Sequence, residues 1–226
     1  MNKKMSIPHL GTPSPLTAKV FNFLPHLLMI LLAAVMIAAV FSCATMPDSK
    51  IYSLDIHYDM TNRVELSPDI PIIIVVDSPR YLSQAFLAVR SSPYTLTIMK
   101  YSKWQSPPST MVAEELKKAL YSIGFFRDIR ISSVARQNFY SLKTNLTRFE
   151  QSDEGTALYG ILSLDADLLS PEGENLCHNT YSKKIKLNGS GDYSALAEGL
   201  SAALKEVMDE IRTSTAKAIT EKESKK

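Results

Sequence analysis

Leu158-Tyr159-Gly160-Ile161-Leu162-Ser163-Leu164-Asp165-Ala166-Asp167-Leu168-Leu169 alternates between apolar and polar side chains over most of its length. Leu158, Gly160, Leu162, Leu164, Ala166 and Leu168 share one parity, and Tyr159, Ser163, Asp165 and Asp167 share the other. Side chains of a strand point alternately to its two faces, so this period of two predicts a strand with one apolar side and one polar side. A sheet built from such strands meets a core on one face and water on the other. Ser152-Asp153-Glu154-Gly155 precedes the stretch and reads as a hairpin turn after a strand over residues 140–151. Ser170-Pro171-Glu172-Gly173 follows it as a second turn, and residues 176–187 return as a third arm ending in alternating Lys184, Ile185, Lys186 and Leu187.

The element that covers this meander comes next. Leu196, Leu200, Leu204, Val207 and Ile211 step by three or four residues and make one apolar stripe on a helix. Upstream, Ser106-Pro107-Pro108 opens another helix, with serine suited to the cap and proline to the first turn. Val112, Leu116, Leu120 and Ile123 give it a buried face, Glu114 and Glu115 complement its positive start, and Gly124 ends it in a left-handed cap. Pro71-Ile72-Ile73-Ile74-Val75-Val76 is a β-branched run that predicts a strand buried on both faces. Residues 51–56, 81–90, 94–104 and 125–132 read as further extended segments, residues 60–69 as a loop. In the 94–104 segment Leu96 and Ile98 face one way, Thr95, Thr97 and Met99 the other. The order is strands, helix, strand meander, helix. It predicts one α+β domain: a mainly antiparallel or mixed sheet with two helices packed on one face.

The first 42 residues are different in kind. They carry Lys3, Lys4 and Lys19 and no acid, and residues 27–41 form an uncharged apolar run that closes on Val40-Phe41-Ser42-Cys43. A basic lead, a short apolar stretch and a small residue at the cut have the form of an export signal. With cysteine after the cut, the pattern resembles a bacterial lipoprotein signal, in which Cys43 becomes an acylated N-terminus. Phe41 and the long lead depart from that pattern. An uncleaved anchor running on through Met46 and a conventional cleavage are the alternatives, and all three place residues 48–226 outside the cytoplasm. The chain thus divides into a signal peptide over 1–42, a tether over 43–50, a domain over 51–214 and a charged, disordered tail over 215–226. By resemblance to enterobacterial lipoprotein sorting, Ala44 in place of an aspartate implies transfer to the outer membrane, on its periplasmic face; retention at the inner membrane is the alternative.

The chain has 226 residues and a formal charge of +2; loss of residues 1–42 takes three lysines and no acid, so the remainder is at −1. That balance gives no support to nucleic-acid binding. Of the two cysteines, an acylated Cys43 cannot pair, which leaves Cys177 as a free thiol behaving as a small hydrophobe. His178 beside Cys177 lacks the third and fourth ligands a zinc site needs, and His57 stands apart. Gly189-Ser190-Gly191 has the wrong glycine spacing for a nucleophile elbow. Asp165 and Asp167 share a strand face and are the one candidate acid–base pair, although a solvated face accounts for them as well. Asn145-Leu146-Thr147 fits a glycosylation acceptor that has no use in a bacterial setting. Tyr81, Phe86, Tyr101 and Trp104 are candidates for either a partner surface or the core beside the first helix. No catalytic residue, metal or cofactor is expected beyond acyl groups on Cys43.

The arrangement of short motifs resembles the ABC-type transport auxiliary lipoproteins, the family that includes PqiC. The resemblance rests on Ile51-Tyr52-Ser53-Leu54 soon after the cysteine, then Ile72 to Val76 leading to Pro79 and Tyr81-Leu82. It continues with Phe86-Leu87-Ala88-Val89-Arg90, Tyr101-Ser102-Lys103-Trp104 before Pro107, and the position of the last helix. Residues 172–181 match no motif of the family. The resemblance implies a non-enzymatic, membrane-tethered subunit that docks or caps an assembly carrying lipids or other apolar compounds across the envelope. The implied partners are an MCE-type periplasmic protein and, through it, an ABC permease and ATPase, with homo-oligomers possible. A structural lipoprotein forming a ring or scaffold is the alternative.

Overall fold

The computed structural model describes residues 29, 31–32, 48–58, 70–189 and 192–225. The chain divides into two units, residues 1–47 and 48–226. Of the first, Met29, Leu31 and Leu32 are helical and exposed; Cys43, the signal and most of the tether lie outside the described residues, as do residues 60–69, expected as a loop. Among the described residues no helix is long and apolar enough to cross a membrane.

The described residues of the second unit form one mixed sheet of eight strands with two helices. The strands are β1 (Lys50–Tyr52), β2 (Ile70–Asp77), β3 (Phe86–Ser92), β4 (Thr95–Trp104), β5 (Phe126–Ile131), β6 (Tyr140–Asp153), β7 (Leu158–Leu169) and β8 (Asn175–Lys186). The helices are α1 (Pro108–Ser122) and α2 (Ser194–Glu223). β6 is the spine of the sheet. One edge of it carries the antiparallel β6–β7–β8 meander, and the other is shared, with β2 parallel to residues 140–145 and β3 parallel to residues 151–152. β5 extends the sheet beyond β2, and β4 and β1 extend it beyond β3.

The helices lie side by side on one face, α1 over β2 and β5, and α2 over β7 and β8. Ile72 and Ile74 of β2, Val112, Leu116 and Leu120 of α1, and Leu162, Leu164 and Leu168 of β7 are all at most 1% exposed in this core. Ile73, which points to the other face, is also fully buried, in keeping with the β-branched run read as a strand buried on both faces. Leu196, Leu200, Leu204, Val207 and Ile211 are buried along α2, each contributing about 1.5–3 kcal/mol by leaving water. Gly160 lets α2 come close: a Cβ there would stand 3.5 Å from Leu196 and 3.6 Å from Leu200.

Several expectations are corrected. The first strand stops at Tyr52, because the chain leaves the edge of β4 and crosses toward α2, where the Asp55 N–H donates to Ser201 Oγ at 3.1 Å. Tyr81 lies in a 3₁₀ turn over Arg80–Ser83, where the Leu82 N–H donates to the Pro79 carbonyl. The cap of α1 is Pro107, not Ser106, and no acid sits in its first turn; Glu115 is buried instead. The hairpin turn falls two residues later, with Gly155 at φ 79°. Residues 215–223, expected as a disordered tail, continue α2: Thr215 and Ile219 are 1% and 0% exposed, and Tyr140 donates to Glu223. The apolar stripe of α2 simply runs two turns further than the charged flanks suggest. Gly124 ends α1 at φ 72°, in the left-handed conformation that glycine adopts without penalty.

Candidate functional site

The polar residues of the meander gather on the sheet face away from the two helices. Asp165 and Asp167 of β7 are tied across to β8: Thr180 donates to Asp165 at 2.7 Å, Asn175 donates to Asp167 at 3.0 Å, and His178 Nδ1 stands 2.8 Å from the same Asp167 oxygen. Partial burial works against the charge on Asp167, but the hydrogen bonds from His178 and Asn175 prevail and hold its carboxyl below the usual range. Each aspartate is therefore held by its own partners on β8. They are rungs of a cross-strand ladder, as a solvated strand face would have.

The densest cluster on this face was not anticipated. β6 contains a bulge between Leu146 and Arg148, where Thr147 is the extra residue. The bulge resets the alternation, so Leu146 and Phe149 both enter the helix-side core while Arg148 and Glu150 share the opposite face. The Glu150 side chain is fully buried. Its Oε1 accepts from Arg90 Nε at 2.6 Å and from Arg148 Nε at 2.8 Å, and its Oε2 accepts from Arg90 at 3.2 Å and from the Tyr81 hydroxyl at 3.0 Å. Burial alone would raise the Glu150 pKa; the two guanidiniums outweigh it and keep the carboxyl below its ordinary value. Burial and the Glu150 charge push the Tyr81 phenol up to about 12. Neither group is poised near neutral pH. The cluster is a clamp that joins β3, β6 and the 3₁₀ turn, and it is suited to holding shape rather than to moving protons.

Beside the clamp, a cleft of about 770 Å³ opens between the β3–β4 turn and the β6–β7 turn. Arg90 and Arg148 line it with Ser91, Ser92, Ser152 and Asp153, and Glu154 on its rim is paired with Lys184 at 2.6 Å. The other candidates separate cleanly. Trp104 is 2% exposed and stacks edge-to-face on Phe149 with centroids 5.3 Å apart, so it belongs to the core. Tyr101 is exposed, Phe86 half-buried beneath the Lys103 ammonium, and Tyr81 half-buried in the clamp. Cys177 is a free, half-buried thiol whose pKa burial pushes up. Among the described residues no group of three His, Cys, Asp or Glu side chains could hold a metal. Gly189 is described with φ 117°, whereas Ser190 and Gly191 lie outside the described residues.

These features define a two-layer α+β domain whose sheet face away from the helices is neutralised by internal ion pairs. The chain belongs to the family of ABC-type transport auxiliary lipoprotein components, whose model matches residues 52–212. Membership carries a membrane-anchored, periplasmic location and an association with an ABC transport system. Protein XCC0632 from Xanthomonas campestris has a similar fold: 18% identity over 77% of this chain and 99% of that one, at TM-score 0.66. A second solved structure, of an uncharacterized protein, is 16% identical over 74% of this chain and 98% of that one, at TM-score 0.54. The PelC dodecamer from Paraburkholderia phytofirmans is 14% identical over 65% of this chain and 92% of that one; at TM-score 0.35 it supports no inference. No curated protein matches the chain.

Proposed function

We propose that this protein is a non-enzymatic docking or capping subunit of an ABC/MCE-type system that moves lipids or other apolar compounds across the envelope. Cys43 carries the acyl anchor, the tether follows it, and the α+β domain presents a rigid surface in the periplasm from the outer membrane. The observation that carries this reading is the family match over residues 52–212, in a chain that also begins with a lipoprotein-like signal. The geometry supports it: the polar groups of the face away from the helices are held in fixed ion pairs, which suits a preformed docking surface. ATP hydrolysis and membrane passage then belong to the permease and ATPase, reached through the MCE subunit.

The test is complementation. Cells lacking this protein should become sensitive to detergents and apolar toxins, and the wild-type chain should restore resistance. Cys43→Ser should lose fatty-acid labelling, leave the membrane fraction and fail to restore resistance. Full rescue by an unlabelled, released Cys43→Ser chain would refute the anchored-subunit reading.

A further inference from the structure

Residues 78–113 contain no aspartate or glutamate, but they do contain Arg80, Arg90, Lys100 and Lys103. This stretch forms β3, β4 and the turn between them. Arg90 is neutralised by Glu150; Lys100 is exposed, and Lys103 lies over Phe86. The apolar surface of this lobe is also unusual. Tyr94, at the tip of the hairpin, is 97% exposed, and Ile98 and Tyr101 of β4 and Ile51 of β1 are exposed at 39%, 41% and 70%. Aromatic residues with a polar tip and lysines with long apolar stems are the side chains that favour a membrane–water interface.

The direction of the chain gives this lobe its occupant. β1 is parallel to β4, with Lys50 opposite Ser102 and Tyr52 opposite Trp104. β1 is thus entered from the Thr95 end of β4, which is the end of the Tyr94 tip. Seven residue steps lead from Cys43 to Lys50, a reach of about 24 Å when extended. The same seven steps separate Ser102 from Thr95, about 23 Å along a strand. A membrane attached at Cys43 thus lies within reach of the hairpin tip. The acids of the neighbouring turn are Asp153 and Glu154, of which Glu154 is offset by Lys184; Asp48 lies on the tether itself, and Asp192 pairs with Lys50.

We propose that the β3–β4 hairpin is a second membrane contact, with Tyr94 seated at the interface and Lys100, further up β4, facing anionic lipid headgroups. It orients the domain on the bilayer so that the β7–β8 turn, at the opposite end of the sheet, faces away from it. The proposal rests on the reading of Cys43 as the attachment point, which acyl labelling tests separately.

The experiment uses the full chain in vesicles of phosphatidylcholine with a minor share of phosphatidylglycerol, some of the lipids brominated in their chains. Trp104, the only tryptophan and buried, gives a constant background. Tyr94→Trp places a reporter at the tip; Gln137→Trp places one in the exposed loop before β6, at the far end. Bromolipid should quench about half or more of the added emission of Tyr94→Trp and little of that of Gln137→Trp. Lys100→Glu in the Tyr94→Trp background should weaken the contact about fivefold or more. Omitting phosphatidylglycerol should weaken it likewise. Equal quenching at both reporters, or quenching indifferent to Lys100→Glu and to lipid charge, overturns the proposal. Protection of the amides of residues 95–101 by an added protein but not by vesicles also overturns it, since the edge of β4 would then be a protein-docking strand. A chain that fails to float with the vesicles overturns both this proposal and the anchored reading.

Discussion

Removing Arg90 from the clamp should cost far more than removing the clamp altogether. Arg90→Met leaves the Glu150 carboxylate, whose side chain is fully buried, with Arg148 and the Tyr81 hydroxyl as its remaining donors. Breaking a buried ion pair from one side costs about 3–5 kcal/mol, because the partner's charge stays behind without compensation. Arg148 persists and Arg90 is a quarter exposed, so the expected loss at pH 7 is about 2–3 kcal/mol. The double variant Arg90→Met/Glu150→Met removes the charge along with its partner and should lie within about 1 kcal/mol of the wild type. The sign of the pH dependence should also change. In the wild type the Glu150 pKa is below its unfolded value, so its contribution is present above about pH 4.3 and is lost as pH falls through the folded pKa. In Arg90→Met burial dominates and the folded pKa rises above the unfolded one. Protonation then favours the fold, and the deficit against the wild type narrows on acidification from pH 7 to 4.5. The assay is urea denaturation of the detergent-solubilised chain at both pH values, followed by Trp104 emission, since Trp104 packs on Phe149 next to Glu150. A loss below about 0.5 kcal/mol, with an unchanged pH slope, would refute the reasoning.

Other perturbations follow from the same packing. Gly160→Ala places its Cβ in ordinary contact with α2 and should change stability by less than about 1 kcal/mol, whereas Gly160→Ile should lose about 1–3 kcal/mol by overpacking; urea midpoints distinguish the two. Gly124→Ala forces a side chain into a positive φ and should cost about 1 kcal/mol by the same assay. Ending the chain after Ser214 removes the buried Thr215 and Ile219 and should cost at least about 2 kcal/mol, read as a lower melting temperature; no change would mean that the last turns of α2 do not pack. Asp167→Asn should leave any transport-linked resistance intact, because Asp167 is a ladder partner of His178 and Asn175; its loss in a complementation assay would reopen an acid–base role.

Much of the fold was legible because each surface has its own period. The alternation from Leu158 to Leu168 identified the meander and its buried face, and the stripe from Leu196 to Ile211 identified the helix that covers it. What stayed hidden was set by contacts distant in sequence. The pairing of β6 with both β2 and β3 leaves no trace in any local pattern. The clamp was hidden by the Thr147 bulge, which puts Glu150 out of phase with Lys143 and Asn145. Arg148-Phe149-Glu150 carried a usable signal, since two charges flanking a core phenylalanine must share the face opposite it. The end of α2 was misread because Lys217, Glu221 and Lys222 suggest a frayed tail, while Thr215 and Ile219 continue the stripe between them. Trp104 shows the converse: an aromatic that could have marked an interface is filling the core instead.

As proposed, this domain works as a subunit attached to a transport assembly. The most direct measurement is to solubilise native membranes in mild detergent, capture the tagged full chain, and identify the proteins that stay with it through gel filtration. An MCE protein, with its permease and ATPase, should co-elute with the wild type and be lost with Cys43→Ser. A wild-type chain that elutes free of every transporter subunit, from cells that make them, would contradict it.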